Sequence, residues 1–198
     1  MDHNSQHDRS RRAAGARRQA RAPRPLDAPG LEQMALAYVA RFATSAGKLG
    51  AYLRRKLRER GWEGDGPPDV TALVARFVAL GYVDDVSFAL GKAQGLMRRG
   101  FGARRIDQAL SAAGIAESLR EDARGSEAER RRAAVVMARK RRFGPFGLAS
   151  PDVRPDPAVR EKQLAALLRA GHPLAHARAV VNAVNAQMLE EWIDEAGD

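Results

Sequence analysis

A leucine stands four residues ahead of a glycine at three places, Leu57 and Gly61, Leu110 and Gly114, Leu167 and Gly171, and these glycines fall 53 and 57 residues apart. Each pair closes a stretch whose apolar residues recur at three- and four-residue steps, the spacing of an amphipathic helix. Glycine at such an end takes the left-handed conformation without a Cβ clash and stops the helix. Ahead of each stretch lies a second recurring element, a basic and aromatic helix end: Arg41-Phe42, then Arg99-Gly100-Phe101-Gly102, then Arg142-Phe143-Gly144. One helical unit of about 50 residues cannot bury its apolar face alone, so successive units must stack. This register predicts that Leu57, Leu110 and Leu167 are equivalent buried positions.

Composition agrees. Aromatic residues make up only 6% of the chain and alanine is abundant, which suits closely approaching helices better than strands. The expected fold is all-α, a curved array of three tandem three-helix repeats behind a disordered basic N-terminal arm. The arm covers residues 1–30, the repeats 31–82, 83–125 and 126–192, and an acidic tail 193–198. Local signals place the boundaries. Ser45 caps a helix over Ala46 to Arg60, and Asp69 caps one over Val70 to Leu80. Gly81 ends that helix, and Asp84 or Asp85 caps the fourth, which runs to Arg99. Within it Gly91 and Gly95, four residues apart, are expected to let another helix come close. Ser126 and Glu129 form a capping box, Pro157 takes the first position of an eighth helix, and Gly144 to Pro155 is a loop. A ninth helix starts at Pro173, and Met188, Leu189, Trp192 and Ile193 extend its stripe.

The net charge is +10, from 34 basic and 24 acidic residues, and 29 of the basic residues are arginine. Such an excess points to a polyanionic partner, because each phosphate neutralised releases condensed counterions. Residues 1–30 carry seven arginines and almost no large apolar side chain, too little to offset the entropy of ordering. The candidate nucleic-acid or filament-binding residues are Arg54, Arg55 and Lys56, then Arg98, Arg99, Arg104 and Arg105 around the Gly100-Phe101-Gly102 turn, then Arg139, Lys140, Arg141 and Arg142. Guanidinium forks suit bidentate contact with phosphate or carboxylate.

The chain has no cysteine, which excludes disulfides and thiol chemistry. No apolar run reaches the roughly 18 residues of a membrane span, and no signal-peptide core is present, so the expected location is the cytoplasm, away from membranes. Gly47-Lys48 lacks the upstream glycine and the following hydroxyl of a phosphate loop. His172 and His176 stand at metal-ligand spacing without a third ligand and read as solvated or capping residues. Asp84-Asp85 reads as a cap and its neighbour. The expectation is a non-enzyme with no catalytic residue, metal or cofactor.

The order of these motifs resembles the RecX family of bacterial regulatory proteins. The resemblance is carried by Ala35-Leu36-Ala37-Tyr38-Val39 and Arg41 leading to Ser45, by Leu53-Arg54-Arg55-Lys56-Leu57, by Gly81-Tyr82-Val83-Asp84-Asp85 with Phe88-Ala89, and by Arg99-Gly100-Phe101-Gly102 with Arg104-Arg105-Ile106. It spans about residues 31–190 and is loosest in the last third. It implies a protein, acting as a monomer, that binds the RecA recombinase filament on single-stranded DNA, touches duplex DNA as well, and mainly inhibits recombinase, ATPase and coprotease activities in DNA repair. Two departures stand out: Lys48 replaces an acidic residue three positions after the capping serine, and Ala170-Gly171-His172-Pro173 replaces the usual third turn. The alternative is a basic helical DNA-binding protein acting independently of a recombinase. Base readout favours one exposed helix bearing Arg, Asn and Gln, whereas the cations here spread over several helix ends.

Overall fold

The computed structural model describes residues 24–147 and 156–197. Most of the expected arm, the loop residues 148–155 and Asp198 lie outside them. The described residues form ten α-helices and no strand: α1 (Ala28–Arg41), α2 (Ala46–Arg60), α3 (Val70–Ala79), α4 (Asp85–Arg98), α5 (Ala103–Ser111), α6 (Glu117–Asp122), α7 (Glu127–Arg141), α8 (Pro157–Arg169), α9 (Leu174–Asn182) and α10 (Ala186–Asp194). A 3-10 turn, Gly144–Gly147, follows α7.

Three separate apolar clusters follow one another along the chain. The first joins Leu26, Leu31, Leu49, Leu53, Phe77 and Val83, the second Ala89, Leu96, Ile106, Leu110 and Ala123, the third Ala134, Ala138, Leu167, Val180, Leu189 and Ile193. Each draws on a stripe at helical spacing, so the architecture is a tandem helical array, as the repeated register requires.

Two expected boundaries move. The helical body begins before residue 31, because Leu26 is buried, Asp27 caps α1 by accepting from Gly30 N at 2.8 Å, and Pro29 sits in the first turn. Aspartate followed by proline is a helix start, and with a buried leucine ahead of it the segment belongs to the core. The single ninth helix is two. The chain leaves α9 at Ala183, and Asn185 caps α10 by accepting from Met188 N at 2.9 Å. Val184 and Met188, taken from spacing as part of one inward stripe, are consequently exposed, and so is Leu174 at the start of α9.

Leu110 and Leu167 are fully buried, but Leu57 is only half-buried and Leu53, one turn earlier, takes the core position. The reason is the helix end. At Gly114 and Gly171 the chain folds back, Ile115 N donating to Leu110 O and His172 N to Leu167 O, both at 3.1 Å. Gly61, with φ 81° and ψ 176°, turns outward instead and makes no such bond. In the first unit the matching fold-back is Phe77, Gly81 and Tyr82, where Tyr82 N donates to Phe77 O at 3.0 Å. Alanine at Leu110 or Leu167 should therefore cost about 2–5 kcal/mol in denaturant unfolding, and at Leu57 clearly less. Arg55→Ala, on an exposed face, should stay within about 0.5 kcal/mol.

The small residues of α4 are also used differently from expectation. A Cβ built on Gly91 meets nothing within 4 Å, and one on Gly95 meets only an Arg98 terminal nitrogen at 3.9 Å, so no helix approaches there. Ala89 and Ala93 face the core instead. Gly91→Ala should then stabilise the protein by up to about 1 kcal/mol, read as a higher urea midpoint.

Successive units join end to end. The start of α2 receives the end of α5: Ser45 Oγ donates to Ala113 O at 2.5 Å, and a Cβ on Gly47 would stand 2.7 Å from the same oxygen. The start of α5 receives the end of α8 in the same way, Gly102 N donating to Ala170 O at 2.9 Å and Arg104 N to Gly171 O at 3.2 Å. At the second joint free N–H groups at the start of one helix meet free C=O groups at the end of the other, while at the first the Ser45 hydroxyl takes the carbonyl.

Asp84 and Asp85 divide two tasks at the first joint. Asp84 caps α4, accepting from Val86 N at 2.9 Å and Ser87 N at 3.1 Å. Asp85 reaches across and accepts from Ala46 N of α2 at 2.8 Å. Ser45 caps α2 through Lys48 N at 3.2 Å, and the carboxylate at this helix start comes from Asp85 of another helix, on Ala46 N rather than on the capping residue. The Lys48 ammonium lies 5.5 Å from the Phe88 ring centroid.

Candidate nucleic-acid interface

The joint between the second and third units gathers the candidate cations. Arg98 and Arg99 close α4, the turn Gly100 to Gly102 follows, and Arg104 and Arg105 open α5. Gly100, at φ 90°, lies so close to α7 that a Cβ there would stand 2.8 Å from Met137 N. That approach carries the turn to the end of α7, where Lys140 Nζ donates to Arg98 O at 3.2 Å. The two runs that sequence alone left separate, residues 98–105 and 139–142, therefore meet in one region. Arg54, Arg55 and Lys56 sit apart, on α2 in the first unit.

These side chains are not equally available. Arg55 and Lys56 both approach Glu59, at 3.5 and 2.6 Å, and Arg139 pairs with Glu190 at 3.1 Å. Arg104 Nη2 donates to Leu168 O at 3.2 Å, and the Arg99 guanidinium lies 5.6 Å from the Phe101 ring centroid. Among the described residues Arg54, Arg98, Arg99, Arg104, Arg105, Lys140, Arg141 and Arg142 form no ion pair, and all eight are exposed. Arg142 ends α7 in the left-handed conformation, φ 55°, where glycine is usual. Leaving Arg54 aside on the first unit, the seven at the second joint are an uncompensated cluster that repels itself and is suited to a polyanion.

Beneath the cluster lies a feature that spacing did not disclose. His172 and His176 are buried, neither solvated nor capping. His172 follows the fold-back at Gly171, and its Nε2 lies 3.0 Å from Gly100 O, a bond across the joint. His176 Nε2 lies 2.7 Å from Glu127 Oε1 at the start of α7. Glu127 also accepts from Arg130 at 2.8 Å and Arg131 at 3.1 Å, and Arg131 Nη1 donates to Trp192 O. Histidines inside a basic protein, following a helix-ending glycine, were the available signal; which carbonyl they reach depends on tertiary placement.

Burial pushes the His172 imidazole below its ordinary value, outweighing the Gly100 hydrogen bond that favours the cation; the nearby His176 adds to the lowering. Partial burial raises the Glu127 carboxyl, but hydrogen bonds from Arg130, His176 and Arg131 outweigh it and hold it at about 2. For His172 the folded state binds the proton less readily than the unfolded one. Its contribution is therefore present above the ordinary imidazole range, roughly 6.5, and lost as the pH falls below it. Glu127 adds a second loss below 4.5, its unperturbed value, continuing towards about 2. The thermal midpoint should fall between pH 7 and 5, and His172→Gln, which keeps a donor, should flatten that part of the profile while Glu127→Gln should not.

Comparison with known proteins agrees with this architecture. No family model matches the chain. It is 33% identical over 168 residues to the regulatory protein RecX of Myxococcus xanthus, covering 81% of this chain and 88% of that one. It is 32% identical over 150 residues to the regulatory protein RecX of Agrobacterium fabrum, covering 73% and 77%. The crystal structure of RecX from Lactobacillus salivarius superposes with a TM-score of 0.56 at 18% identity, over 84% of this chain and 94% of that chain, a likeness of fold. With two relatives above 30% identity across most of its length and the same helical fold, the chain belongs to the RecX family of regulatory proteins.

Proposed function

We propose that this regulatory protein binds the RecA recombinase filament on single-stranded DNA and mainly inhibits its recombinase, ATPase and coprotease activities. Membership of the RecX family supports the partner. The observation that carries the mode of contact is the meeting of Arg98, Arg99, Arg104 and Arg105 with the end of α7 at the second joint. Cations spread over helix ends on two units follow an extended anionic surface, whereas one recognition helix reads base edges. The tandem units, taken as 31–82, 83–125 and 126–192 with the first extended back to Leu26, present these helix ends in series. The reading is of a non-enzyme acting as a monomer on filament, single-stranded DNA and duplex DNA, in the cytoplasm. No helix of the described residues is long and apolar enough to cross a membrane.

The deciding experiment is the single-stranded-DNA-dependent ATPase and strand exchange of the cognate recombinase with increasing amounts of the full chain. Both activities should decline at substoichiometric to equimolar protein. Undiminished activity with the filament present would refute the proposal, and retention of a specific duplex site against random-sequence competitor would favour a recombinase-independent DNA-binding protein.

A further inference from the structure

The first unit carries an aromatic ladder that runs out of its core to the surface. At the end of α1 the Phe42 ring lies 5.2 Å from Tyr38, and Tyr38 stacks on Tyr52 of α2 with centroids 4.2 Å apart and planes at 18°. A guanidinium closes each end, Arg41 at 5.8 Å from the Phe42 centroid and Arg55 at 5.6 Å from the Tyr52 centroid. Tyr38 and Tyr52 pack against the first cluster, but Phe42 does not, and it is 52% exposed. Arg41 is exposed and forms no ion pair among the described residues.

Why Phe42 stands out follows from the backbone. The other two basic and aromatic ends pass through a left-handed residue, Gly100 or Arg142, and fold back, Phe101 N donating to Leu96 O and Phe143 N to Ala138 O. Those rings return to the second and third clusters. Phe42 follows Arg41 with no left-handed residue between them, at φ −134° and ψ 124°, so the chain leaves α1 extended and the ring stays outside. A solvated phenylalanine face, backed by two stacked tyrosines and flanked by Arg41, which has no ion pair among the described residues, and by Arg55, which shares its charge with Glu59, suits a flat π-system joined to an anion.

We propose that Phe42, with Tyr38 and Tyr52 behind it and Arg41 and Arg55 beside it, is a stacking site for a base of single-stranded nucleic acid. In a duplex the base faces are covered by their neighbours, so an intact helix offers this ladder only phosphate, while an unpaired base inserts against Phe42 and its phosphate meets Arg41. The site is distinct from the cation cluster at the second joint, and it rests on reading the protein as one that touches single strands.

The test uses the full chain and no recombinase, so its outcome is separable from that of the inhibition assay. Fluorescence anisotropy compares a labelled oligothymidylate of about 15 nucleotides with an abasic deoxyribose-phosphate oligomer of equal length. Wild type should bind the base-bearing strand more tightly. Phe42→Ala and Phe42→Leu should each lose about 5- to 150-fold on oligothymidylate with an unchanged salt slope, and little on the abasic strand. Phe42→Trp should retain wild-type affinity, which keeps the outcome independent of any folding defect in the smaller variants. Equal wild-type affinity for the two oligomers, wild-type binding by Phe42→Leu, or a loss shared equally by both oligomers would overturn the site.

Discussion

Alanine at Gly171 is expected to lower stability by about 3–5 kcal/mol and to separate the third unit from the second. Two costs combine. Gly171 has φ 94°, where an L side chain is strained by about 1–2 kcal/mol. In addition, its Cβ would stand 2.8 Å from Arg105 Cβ and closer still to Arg105 N, both belonging to the first turn of α5. Neither neighbour can yield without breaking the Gly102-to-Ala170 and Arg104-to-Gly171 hydrogen bonds. Gly81 separates the two contributions, since it makes the same fold-back at φ 74° but a Cβ there meets nothing within 4 Å. Gly81→Ala should cost only the conformational part. Urea denaturation of both variants measures the difference, and equal losses would show that the close approach at the joint carries no energy.

The change of Arg98, Arg99, Arg104 and Arg105 together to alanine should abolish inhibition of the recombinase while the circular-dichroism spectrum stays helical. All four side chains are exposed, and only Arg104 has a described hydrogen bond to hold, to Leu168 O. Loss of that bond costs about 1 kcal/mol, and the backbone bond from Arg104 N to Gly171 O persists whatever the side chain. Neutral changes at Arg11 and Arg12 should weaken inhibition less. Inhibition surviving the fourfold change near wild-type concentration would move the contact to Arg139 through Arg142, whose link to the same joint is Lys140 to Arg98 O.

Features written in a few adjacent residues were legible. Ser45, Asp69, Asp84, and Ser126 with Glu129 all cap the helices that their spacing announced. Leu110 with Gly114 and Leu167 with Gly171 behave as read, because the fold-back needs only one glycine and one buried side chain. Leu57 failed because Gly61 shares the residue type but not the ψ that closes the bond. Asp85 escaped notice as a bridge because its acceptor role belongs to a helix 39 positions earlier. Gly47 looked like a fragment of a phosphate loop, and its reason is the Ala113 carbonyl 2.7 Å from where its Cβ would be. For the candidate interface, the residue types were visible as arginine runs. Their convergence was not, since it depends on Gly100 lying against Met137.

At the outer end of the first unit, Leu26 N donates to Gly61 O at 3.0 Å, and Glu63 N returns a bond to Leu26 O at 2.9 Å. Arg104 N does the same for Gly171 O at the inner joint. A short strand-like segment thus occupies the carbonyl that a preceding unit's helix start would claim. For protein engineering this makes residues 24–26 a stopper. An additional helical unit fused ahead of α1 would hang loosely while Leu26 holds Gly61. Freeing that carbonyl would mean removing Leu26, a residue of the first cluster, so the array could be lengthened here only by an added unit that brings a replacement for this core contact.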